Sequence, residues 1–462
     1  MISLALGLLS PLQGSIVLAQ EGENEGPIYI VQDGDTLWDI AVRFGVDLEA
    51  LKQANGIVDP GKLISGAQLV IPGLEGIQGV LTTQRVPLGE NFRSLSRRYN
   101  IPQDQLARLN HLTSPVELYT GASLIVPERS GASIAARVGL AAGQSLLEVA
   151  VLYGVNPWSV VRENGLHGSW AVLPGEVLRV PAENAVDGPG ALPGEITAVD
   201  LEPLPLIQGG TSILRIFSKS ELTLEGSFVS HPLKFFPDDN GSYVALQGIH
   251  AMLKPGLYPL SIEGTLSDGK PFGLTQMVPI QAGDFAYESL PVPPGTIDPA
   301  NTEPEDKIWN SLALLASPKR MWKGVFGIPV TTATPDCYSS RYGNRRSYNG
   351  SPYNYYHTGL DFCYNYNLDV NEILAPAPGV VVFTGDLIVR GKATMIDHGW
   401  GVYTGYMHQS EILVEVGDRV KADQVIGHAG GTGRVSGPHL HIEVWVGGVP
   451  VNPMDWLTRP FP

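Results

Sequence analysis

The chain has 462 residues, of which 43% are hydrophobic. Domains usually contain about 100–200 residues, so this length predicts several folded domains rather than one. The formal net charge of −16 argues against nucleic acid as a partner, because binding its phosphates requires a basic surface.

The first residues, 1–20, predict a signal peptide. They are mostly apolar and end in Val17-Leu18-Ala19, which offers a small residue before a cleavage site. No basic residue precedes the apolar run, and the run is interrupted and short for a membrane span. A membrane-tethered form is therefore the lesser alternative. No stable membrane span is expected beyond this segment, and the protein is predicted to be secreted or associated with the cell envelope.

Three sequence markers recur along the first part of the chain. The segment Gly34-Asp35-Thr36-Leu37 is followed by Gly89-Glu90-Asn91-Phe92 and Gly143-Gln144-Ser145-Leu146. An asparagine recurs at Asn55, Asn110 and Asn164, and an apolar residue followed by proline recurs at Ile71-Pro72, Val126-Pro127 and Val180-Pro181. All three markers step by 55 and then by 54 residues. Three independent markers that recur at the same spacing predict three structural repeats.

Each repeat is predicted to be a βααβ unit. In the first, a short strand at Tyr29–Val31 precedes the Gly-Asp turn, and Leu37, Ile40 and Phe44 then follow helical spacing. A second helical pattern begins at Leu48, and the segment 68–71 predicts a closing strand that ends at proline.

The segment from Asp33 to Ala41 resembles the lysin motif (LysM), a carbohydrate-binding module. The resemblance implies three such modules, at 28–73, 83–128 and 136–182. This resemblance implies binding of peptidoglycan or another glycan that contains N-acetylglucosamine. The family's binding loops correspond here to Gly34, Asp35, Thr36, Asn55, Gly56 and Ile57. The alternative is that the repeated asparagines only cap helices or form turns.

A linker at 183–195, rich in Gly, Pro and Ala, separates the repeats from a β-rich region at 196–283. Turn signals at Asn240-Gly241 and Asp268-Gly269 indicate hairpins. Strands are expected at 212–217, 233–236, 243–246 and 257–262, and the pattern predicts an immunoglobulin-like β-sandwich. A further linker, Pro-rich and polar at 288–305, and a connector helix at 306–316 are expected within 284–325, before a last domain at 326–462.

The histidines are concentrated in that last domain, where six of the ten lie between His357 and His441. His439 and His441 alternate in a segment that reads as a strand, so they point to one face. His357 and Asp361 add an imidazole and a carboxylate. Two histidines and a carboxylate form a ligand set suited to zinc, with the fourth position left for a water whose pKa zinc lowers to about 7.

The order of these motifs resembles that of the lysostaphin-like zinc metallopeptidases, which are peptidoglycan endopeptidases with a mainly antiparallel β fold. The similarity covers 337–456 and includes Ser340-Arg341-Tyr342-Gly343-Asn344-Arg345, Tyr406-x-His408 and Gly437-Pro438-His439-Leu440-His441. It implies that Zn²⁺ is bound by His357, Asp361 and His441, and that His439 and His408 are the catalytic histidines. His439 is the expected general base and His408 the expected transition-state stabiliser, although the sequence does not separate these roles. Gln409 departs from the family's usual apolar residue, which would affect the fit of substrate.

The two cysteines, Cys337 and Cys363, both lie in this domain. In an exported protein such a pair is a disulfide candidate. The alternative is two free buried thiols.

The sequence therefore predicts a multidomain α+β protein with three βααβ LysM repeats, an immunoglobulin-like β-sandwich and a mainly antiparallel β peptidase domain. The predicted function is an exported zinc metalloendopeptidase that binds peptidoglycan and hydrolyses the peptide stems or cross-links of the bacterial cell wall. The main alternative is a non-catalytic regulator that binds the wall and activates other wall hydrolases. A glycan-binding adhesin is a third possibility.

Overall fold

The computed structural model describes residues 26–74, 76–128, 135–183, 185–330, 337–369 and 371–462. The predicted signal peptide at 1–20 lies outside these residues. Within the described ranges, no helix combines the length and the apolar character needed to cross a membrane. The chain forms two compact units, one built on the first repeat and the other containing most of the remaining residues.

The first repeat contains two short helices between two paired strands. Its elements are β1 (Ile28–Ile30), α1 (Leu37–Phe44), α2 (Leu48–Ala54) and β2 (Gln68–Val70). β1 pairs antiparallel with β2, with Tyr29 opposite Leu69. Thr36 begins α1 through a capping box with Asp39, which satisfies backbone N–H groups that the helix leaves free. The predicted order of elements is present, with the first strand one residue earlier than expected.

The second and third repeats have the same order of elements. They contain β3 (Val80–Arg85), α3 (Phe92–Tyr99), α4 (Gln103–Leu109), β4 (Ser123–Glu128), β5 (Ala135–Gly139), α5 (Leu146–Leu152), α6 (Pro157–Glu163) and β6 (Val177–Pro181). In the third repeat, β5 and β6 pair antiparallel, with Arg137 opposite Arg179.

The repeated asparagine has an internal role in all three repeats. In the first, Nδ2 of Asn55 donates to the carbonyl of Val70 at 2.8 Å, and Oδ1 accepts from the backbone N–H of the same residue at 2.7 Å. Asn110 makes the same two bonds to Ile125. Asn164 and Arg179 repeat the arrangement. The asparagine thus ties the end of the second helix to the closing strand, which agrees with the structural alternative for these side chains.

The region after the linker forms two sheets around a shared core. Its strands are β7 (Ile196–Glu202), β8 (Leu206–Ile207), β9 (Thr211–Ser218), β10 (Leu222–Phe228), β11 (His231–Pro232), β12 (Phe236–Pro237), β13 (Ser242–Gly248), β14 (Gly256–Leu266) and β15 (Pro271–Gln281). The sheet orders are β11-β10-β14-β15-β8 and β12-β13-β9-β7. Ile216 from one sheet and Ile262 from the other are fully buried in the core between them.

The prediction of a strand at 233–236 is wrong. Two-residue strands lie on either side of it, and each ends in a proline, Pro232 or Pro237. Proline cannot donate to the ladder of hydrogen bonds, so a continuous strand does not form there.

The connector also differs from the prediction. It contains β16 (Tyr287–Leu290) and α7 (Pro299–Ala313), so the helix begins before the expected 306 and ends before 316. Asp298 caps the helix by accepting a hydrogen bond from the backbone N–H of Ala300. Proline at the first helical position is favourable because its missing N–H would be unpaired in any case. The prolines at 299 and 304 that suggested a linker therefore lie within the helix.

The last region is a mainly antiparallel sheet structure. It contains β17 (Tyr338–Ser340), β18 (Arg345–Tyr348), β19 (Tyr355–Tyr356), β20 (Leu360–Cys363), β21 (Glu372–Leu374), β22 (Gly379–Leu387), β23 (Gly391–Gly399), β24 (Val402–Ile412), β25 (Arg419–Val420), β26 (Val425–Ala429), β27 (His439–Val446), β28 (Val449–Val451) and α8 (Pro453–Thr458). The main sheet has the order β17-β20-β27-β24-β23-β22-β25. β16 from the connector pairs parallel with β18. The core beneath this sheet is continuous with side chains of β9, β12 and β13, so the two β regions pack as one body.

Candidate metal centre

The register of two strands brings the predicted metal ligands together. β20 and β27 pair antiparallel, with Asp361 directly opposite His441. Residues opposite each other in such a pair have Cβ atoms about 4.5–5.5 Å apart. His357 lies just before β20 and adds a third side chain to the same point. The three predicted ligands therefore form one buried group, which is the candidate metal site among the described residues.

Three potential ligand atoms converge at this point. Oδ1 of Asp361 lies 3.0 Å from Nε2 of His357 and 2.7 Å from Nδ1 of His441. The two ring nitrogens are 2.9 Å apart. A tetrahedral Zn²⁺ ion with bonds of about 2.0–2.1 Å would space its ligand atoms about 3.3 Å apart. The group therefore accommodates this ion with small side-chain shifts.

The hydrogen bonds on the far sides of the rings indicate which nitrogens face the metal. Nδ1 of His357 lies 2.9 Å from the carbonyl oxygen of Arg341 and donates to it. Nε2 of His441 lies 3.4 Å from Oε1 of Glu443, on the side away from Asp361. These partners leave Nε2 of His357 and Nδ1 of His441 as the nitrogens that face the carboxylate. The space between the three donor atoms suits a cation, either a metal ion or a proton.

The motif from Ser340 to Arg345 supports His357 through the backbone. Besides the Arg341 carbonyl, the N–H of Gly343 donates to the carbonyl of His357, and the N–H of His357 donates to the carbonyl of Asn344. The side chain of Asn344 bonds to Glu288 in β16. The Arg345 guanidinium donates to the carbonyl of Ala251. The motif therefore positions a ligand and joins neighbouring elements.

Glu443 is a residue of the site that the sequence reasoning missed. It is fully buried and lies two residues after His441, on the same face of β27. Its carboxylate accepts hydrogen bonds from Nε1 of Trp309 at 2.8 Å, from Nε1 of Trp445 at 2.7 Å and from the hydroxyl of Thr358. Burial favours its neutral form, but the hydrogen bond and charge of His441 outweigh burial and lower the pKa of Glu443 to about 2. A charged Glu443 orients His441 and makes it a better electron donor.

The electrostatics of the group match the binding of a cation. Burial opposes the charge of Asp361, but His357 and His441 hold its pKa well below the usual range. Its second oxygen, Oδ2, lies 3.6 Å from Nη2 of Arg346. Burial also disfavours a proton on His441, yet the hydrogen bonds of Asp361 and Glu443 prevail and raise its pKa to about 9. In the metal-free protein, a proton on His441 therefore lies between the ligand atoms, where the metal ion would lie.

His439 and His408 lie beside the three ligands. Nδ1 of His439 donates to the carbonyl of Gly437 at 2.8 Å, and its Nε2 lies 3.6 Å from Oδ1 of Asp361. Nδ1 of His408 donates to the carbonyl of Thr432 at 2.8 Å. The ring centroids of His408 and His439 are 4.9 Å apart. In both rings Nδ1 is occupied by a backbone carbonyl, so Nε2 is the nitrogen that can accept a proton.

His408 occupies an unusual backbone conformation, with φ of +62°. Its N–H donates to the carbonyl of Arg390 at 2.9 Å, which helps to hold it there. Burial, together with the neighbouring His441 and His439, lowers the pKa of His408 to about 3. The ring is therefore neutral at rest.

Three further features of this domain serve its interior: a buried glutamine, a buried histidine and a disulfide. Gln409 is fully buried and donates to Thr394, so the expectation that it affects the fit of substrate is wrong. Its side chain sits against the close-packed Gly427, where it fills the interior. His398 is also fully buried, between Pro378 and Thr404. Cys337 and Cys363 are joined by a disulfide at the end of β20.

The predicted glycan-binding residues lie in two loops of the first repeat, at 34–36 and 55–57. Gly34, Thr36 and Gly56 are exposed. Asp35 accepts a hydrogen bond from the hydroxyl of Tyr29 and pairs with Arg43, so it shapes the loop from within. Asn55 is occupied by the closing strand, as described above, and Ile57 is half-buried.

These features define a metallopeptidase type of site on a sheet structure, and comparisons with known proteins agree. Residues 355–453 match the sequence model of Peptidase family M23. Residues 29–72 and 85–127 match that of the LysM domain. The chain thus contains LysM domains and a peptidase domain that belongs to family M23. Peptidases of this family depend on zinc, and His357, Asp361 and His441 form the group that fits this ion.

Similar proteins include two curated relatives and one solved structure. The chain is 43% identical over 98 residues to the peptidoglycan DD-endopeptidase ShyA of Vibrio cholerae, which is 21% of this chain and 22% of that protein. It is 43% identical over 99 residues to the DD-carboxypeptidase/endopeptidase Mpg of Neisseria meningitidis, again 21% and 22%. The match therefore spans less than a quarter of the length of each relative. The catalytic domain of the M23 protein EnpA from Enterococcus faecalis is 30% identical over 27% of this chain and 93% of that one, with a TM-score of 0.24.

Proposed function

We propose that the chain is an exported zinc metalloendopeptidase that binds peptidoglycan and hydrolyses peptide stems or cross-links in the bacterial cell wall. The observation that carries this proposal is the convergence of ligand atoms from His357, Asp361 and His441, with Nε2 of His439 only 3.6 Å from the same carboxylate oxygen. Such a group combines a metal site with an adjacent proton acceptor, which hydrolysis of an amide requires. The relatives named as peptidoglycan endopeptidases support the choice of substrate.

In this proposal the three repeats are LysM modules that hold the enzyme on glycan strands. The third repeat is included because it has the same βααβ order and the same asparagine bonds to its closing strand as the first two. Several weak sites on one chain give a higher overall affinity when they can bind together. The exposed Gly34, Thr36 and Gly56 are proposed to contact glycan, while Asp35, Asn55 and Ile57 shape the loops. The two-sheet region is proposed to be an immunoglobulin-like sandwich.

The proposed chemistry divides between the metal and the histidines. When bound, Zn²⁺ supplies a Lewis acid and lowers the pKa of a coordinated water. His439 is the proposed general base, because Nε2 faces the ligand group and its Nδ1 is fixed by Gly437. His439 takes a proton from water as the water oxygen bonds to the scissile carbonyl carbon, and it passes this proton to the leaving amine as the C–N bond breaks. His408 is proposed to stabilise the transition state, and its fixed ring presents Nε2 to the same side.

Release of new amino groups from purified, insoluble peptidoglycan would test this proposal. The zinc-loaded intact chain is expected to release them, whereas the His357→Ala variant and chelator-treated protein are not. A matched control is His428→Ala, because His428 bonds only to the exposed Glu411 among described side-chain partners. Binding to the wall without release of amino groups by the zinc-loaded chain would contradict the proposal. That outcome would favour a non-catalytic regulator.

A further inference from the structure

The connector helix α7 lies against the same face of the sheet as the metal centre. His439, His441, Glu443 and Trp445 alternate along β27 and therefore point to one side. On that side, Trp309 of α7 packs with Trp445 and with buried side chains of β23 and β24. The helix thus covers the part of the sheet that adjoins the ligands. It also lies outside residues 355–453, which match the peptidase family.

Trp309 reaches the ligand group through a single carboxylate. The indole is fully buried, and its Nε1 donates to Oε2 of Glu443 at 2.8 Å. The other oxygen of Glu443, Oε1, lies 3.4 Å from Nε2 of His441. A chain of two polar contacts therefore leads from the helix to a metal ligand.

The sheet has space for this indole because of a glycine. Gly405 lies opposite Glu443 in the pairing of β24 with β27. A Cβ atom at Gly405 would lie 2.6 Å from Cζ2 of Trp309, too close for the ring to remain in place. The absence of a side chain at this position allows the indole to reach the carboxylate.

A second buried side chain holds the helix in register. Glu305 precedes Trp309 by one helical turn, and its carboxylate accepts hydrogen bonds from the backbone N–H groups of Ile388, Val389 and Arg390. The guanidinium of Arg390 lies over the indole of Trp309, 5.2 Å from the ring centroid. The carbonyl of Arg390 accepts the N–H of His408. The helix therefore contacts Glu443, which orients His441, and Arg390, whose carbonyl holds His408.

We propose that α7 is part of the catalytic domain and that Trp309 is a positioning residue for the metal ligand His441, acting through Glu443. The inference rests on the metal site proposed above. The indole N–H fixes the Glu443 carboxylate, and Glu443 fixes the ring orientation and electron density of His441. The peptidase domain therefore extends in function to residue 299, where α7 begins. Partners of metal-ligating histidines typically alter metal affinity about 10–100-fold.

The test is the zinc affinity of the intact chain, measured by competition with a chelator, for Trp309→Phe and for Trp322→Phe. Phenylalanine keeps an aromatic ring in each place. Trp322 is a matched control because it is equally buried and its Nε1 has no hydrogen-bond partner among the described residues. We expect Trp309→Phe to weaken zinc binding severalfold, less than loss of the Glu443 charge would, and Trp322→Phe to leave it unchanged. The visible absorption of the Co²⁺-substituted protein should change only in Trp309→Phe.

The inference would be overturned if Trp309→Phe and Trp322→Phe both kept the zinc affinity and the Co²⁺ spectrum of the parent chain. This holds even if both variants melted at lower temperature, because Trp309 would then only fill space. Glu305→Gln provides a second test that leaves the indole N–H in place. It should weaken zinc binding severalfold, whereas Asp306→Asn, which removes the exposed carboxylate that also pairs with Arg390 but leaves Glu305 in place, should not. Equal affinities of these two variants would also contradict the inference. Failure of the parent chain to bind zinc would instead overturn the proposed function itself.

Discussion

Nε2 of His441 lies 3.4 Å from Oε1 of Glu443, two residues further along the same strand. This contact leaves Nδ1 as the nitrogen that faces Asp361, at 2.7 Å. Which ring nitrogen of His441 faces the metal position therefore depends on Glu443, although Glu443 is not one of the three ligands. Glu443 is in turn held by two indole N–H groups and a hydroxyl.

Replacing Glu443 with glutamine should weaken zinc binding about tenfold or more. A neutral amide can still accept from His441, but it does not increase the ring's basicity as a carboxylate does. Chelator competition would measure the change. The matched control is Glu411→Gln, because Glu411 also bonds to a histidine, but it is exposed and its partner is the half-buried His428. Similar affinities for the two variants would show that Glu443 does not tune the site.

Zinc affinity should rise with pH by about tenfold per unit between roughly pH 6 and 8. The reason is that the pKa of His441 is raised to about 9 in the metal-free protein, so zinc must displace a proton throughout this range. Calorimetric titrations in buffers of different ionisation enthalpy would count the released proton. An affinity that does not vary with pH would mean that the metal-free ring carries no proton.

The metal-free protein should lose stability in acid partly through Glu443. Its folded pKa of about 2 is below the usual glutamate value of 4.5, so the unfolded chain binds the proton more readily. This contribution is complete above about pH 4.5 and is lost as the pH falls toward 2. Denaturant titrations in the presence of chelator should show a smaller loss for Glu443→Gln than for the parent over this interval. If the variant and the parent lost the same free energy of unfolding over this interval, the acid sensitivity would come from other groups.

Replacing Asn55 with alanine should loosen the first repeat locally. The substitution removes the side-chain bonds to Val70 and Leu51 and leaves backbone groups without these partners. The expected cost is about 2 kcal/mol. Hydrogen exchange of peptides that contain Val70 should become faster, while peptides from β27 should exchange as in the parent. Unchanged protection at Val70 would mean that the asparagine does not stabilise the closing strand.

The sequence predicted the ligand group because its residues lie in short, specific motifs. His439 and His441 alternate in an apolar strand, and the resemblance assigned His357 and Asp361 as their partners. Glu443 continues the same alternation and could have been found by following the strand two residues further.

Other features depend on tertiary contacts that no local pattern reveals. Trp309 and Glu443 are 134 residues apart in sequence, and only the packing of α7 on the sheet joins them. The start of α7 was placed too late because Pro299 and Pro304 suggested a linker, although Asp298 caps a helix there. Gln409 was expected to affect the fit of substrate, but its side chain is fully buried and donates to Thr394.

The central claim is that this chain cuts peptide bonds in the cell wall with the histidines around a metal. Its most direct test is mass spectrometry of the soluble fragments that the intact, zinc-loaded protein releases from purified peptidoglycan in ¹⁸O-labelled water. We expect fragments with one labelled carboxyl terminus at a single type of peptide bond, and their absence for chelated protein and for His439→Ala. Fragments that persist in His439→Ala at the parental rate, or no labelled fragments from the zinc-loaded parent, would contradict the claim.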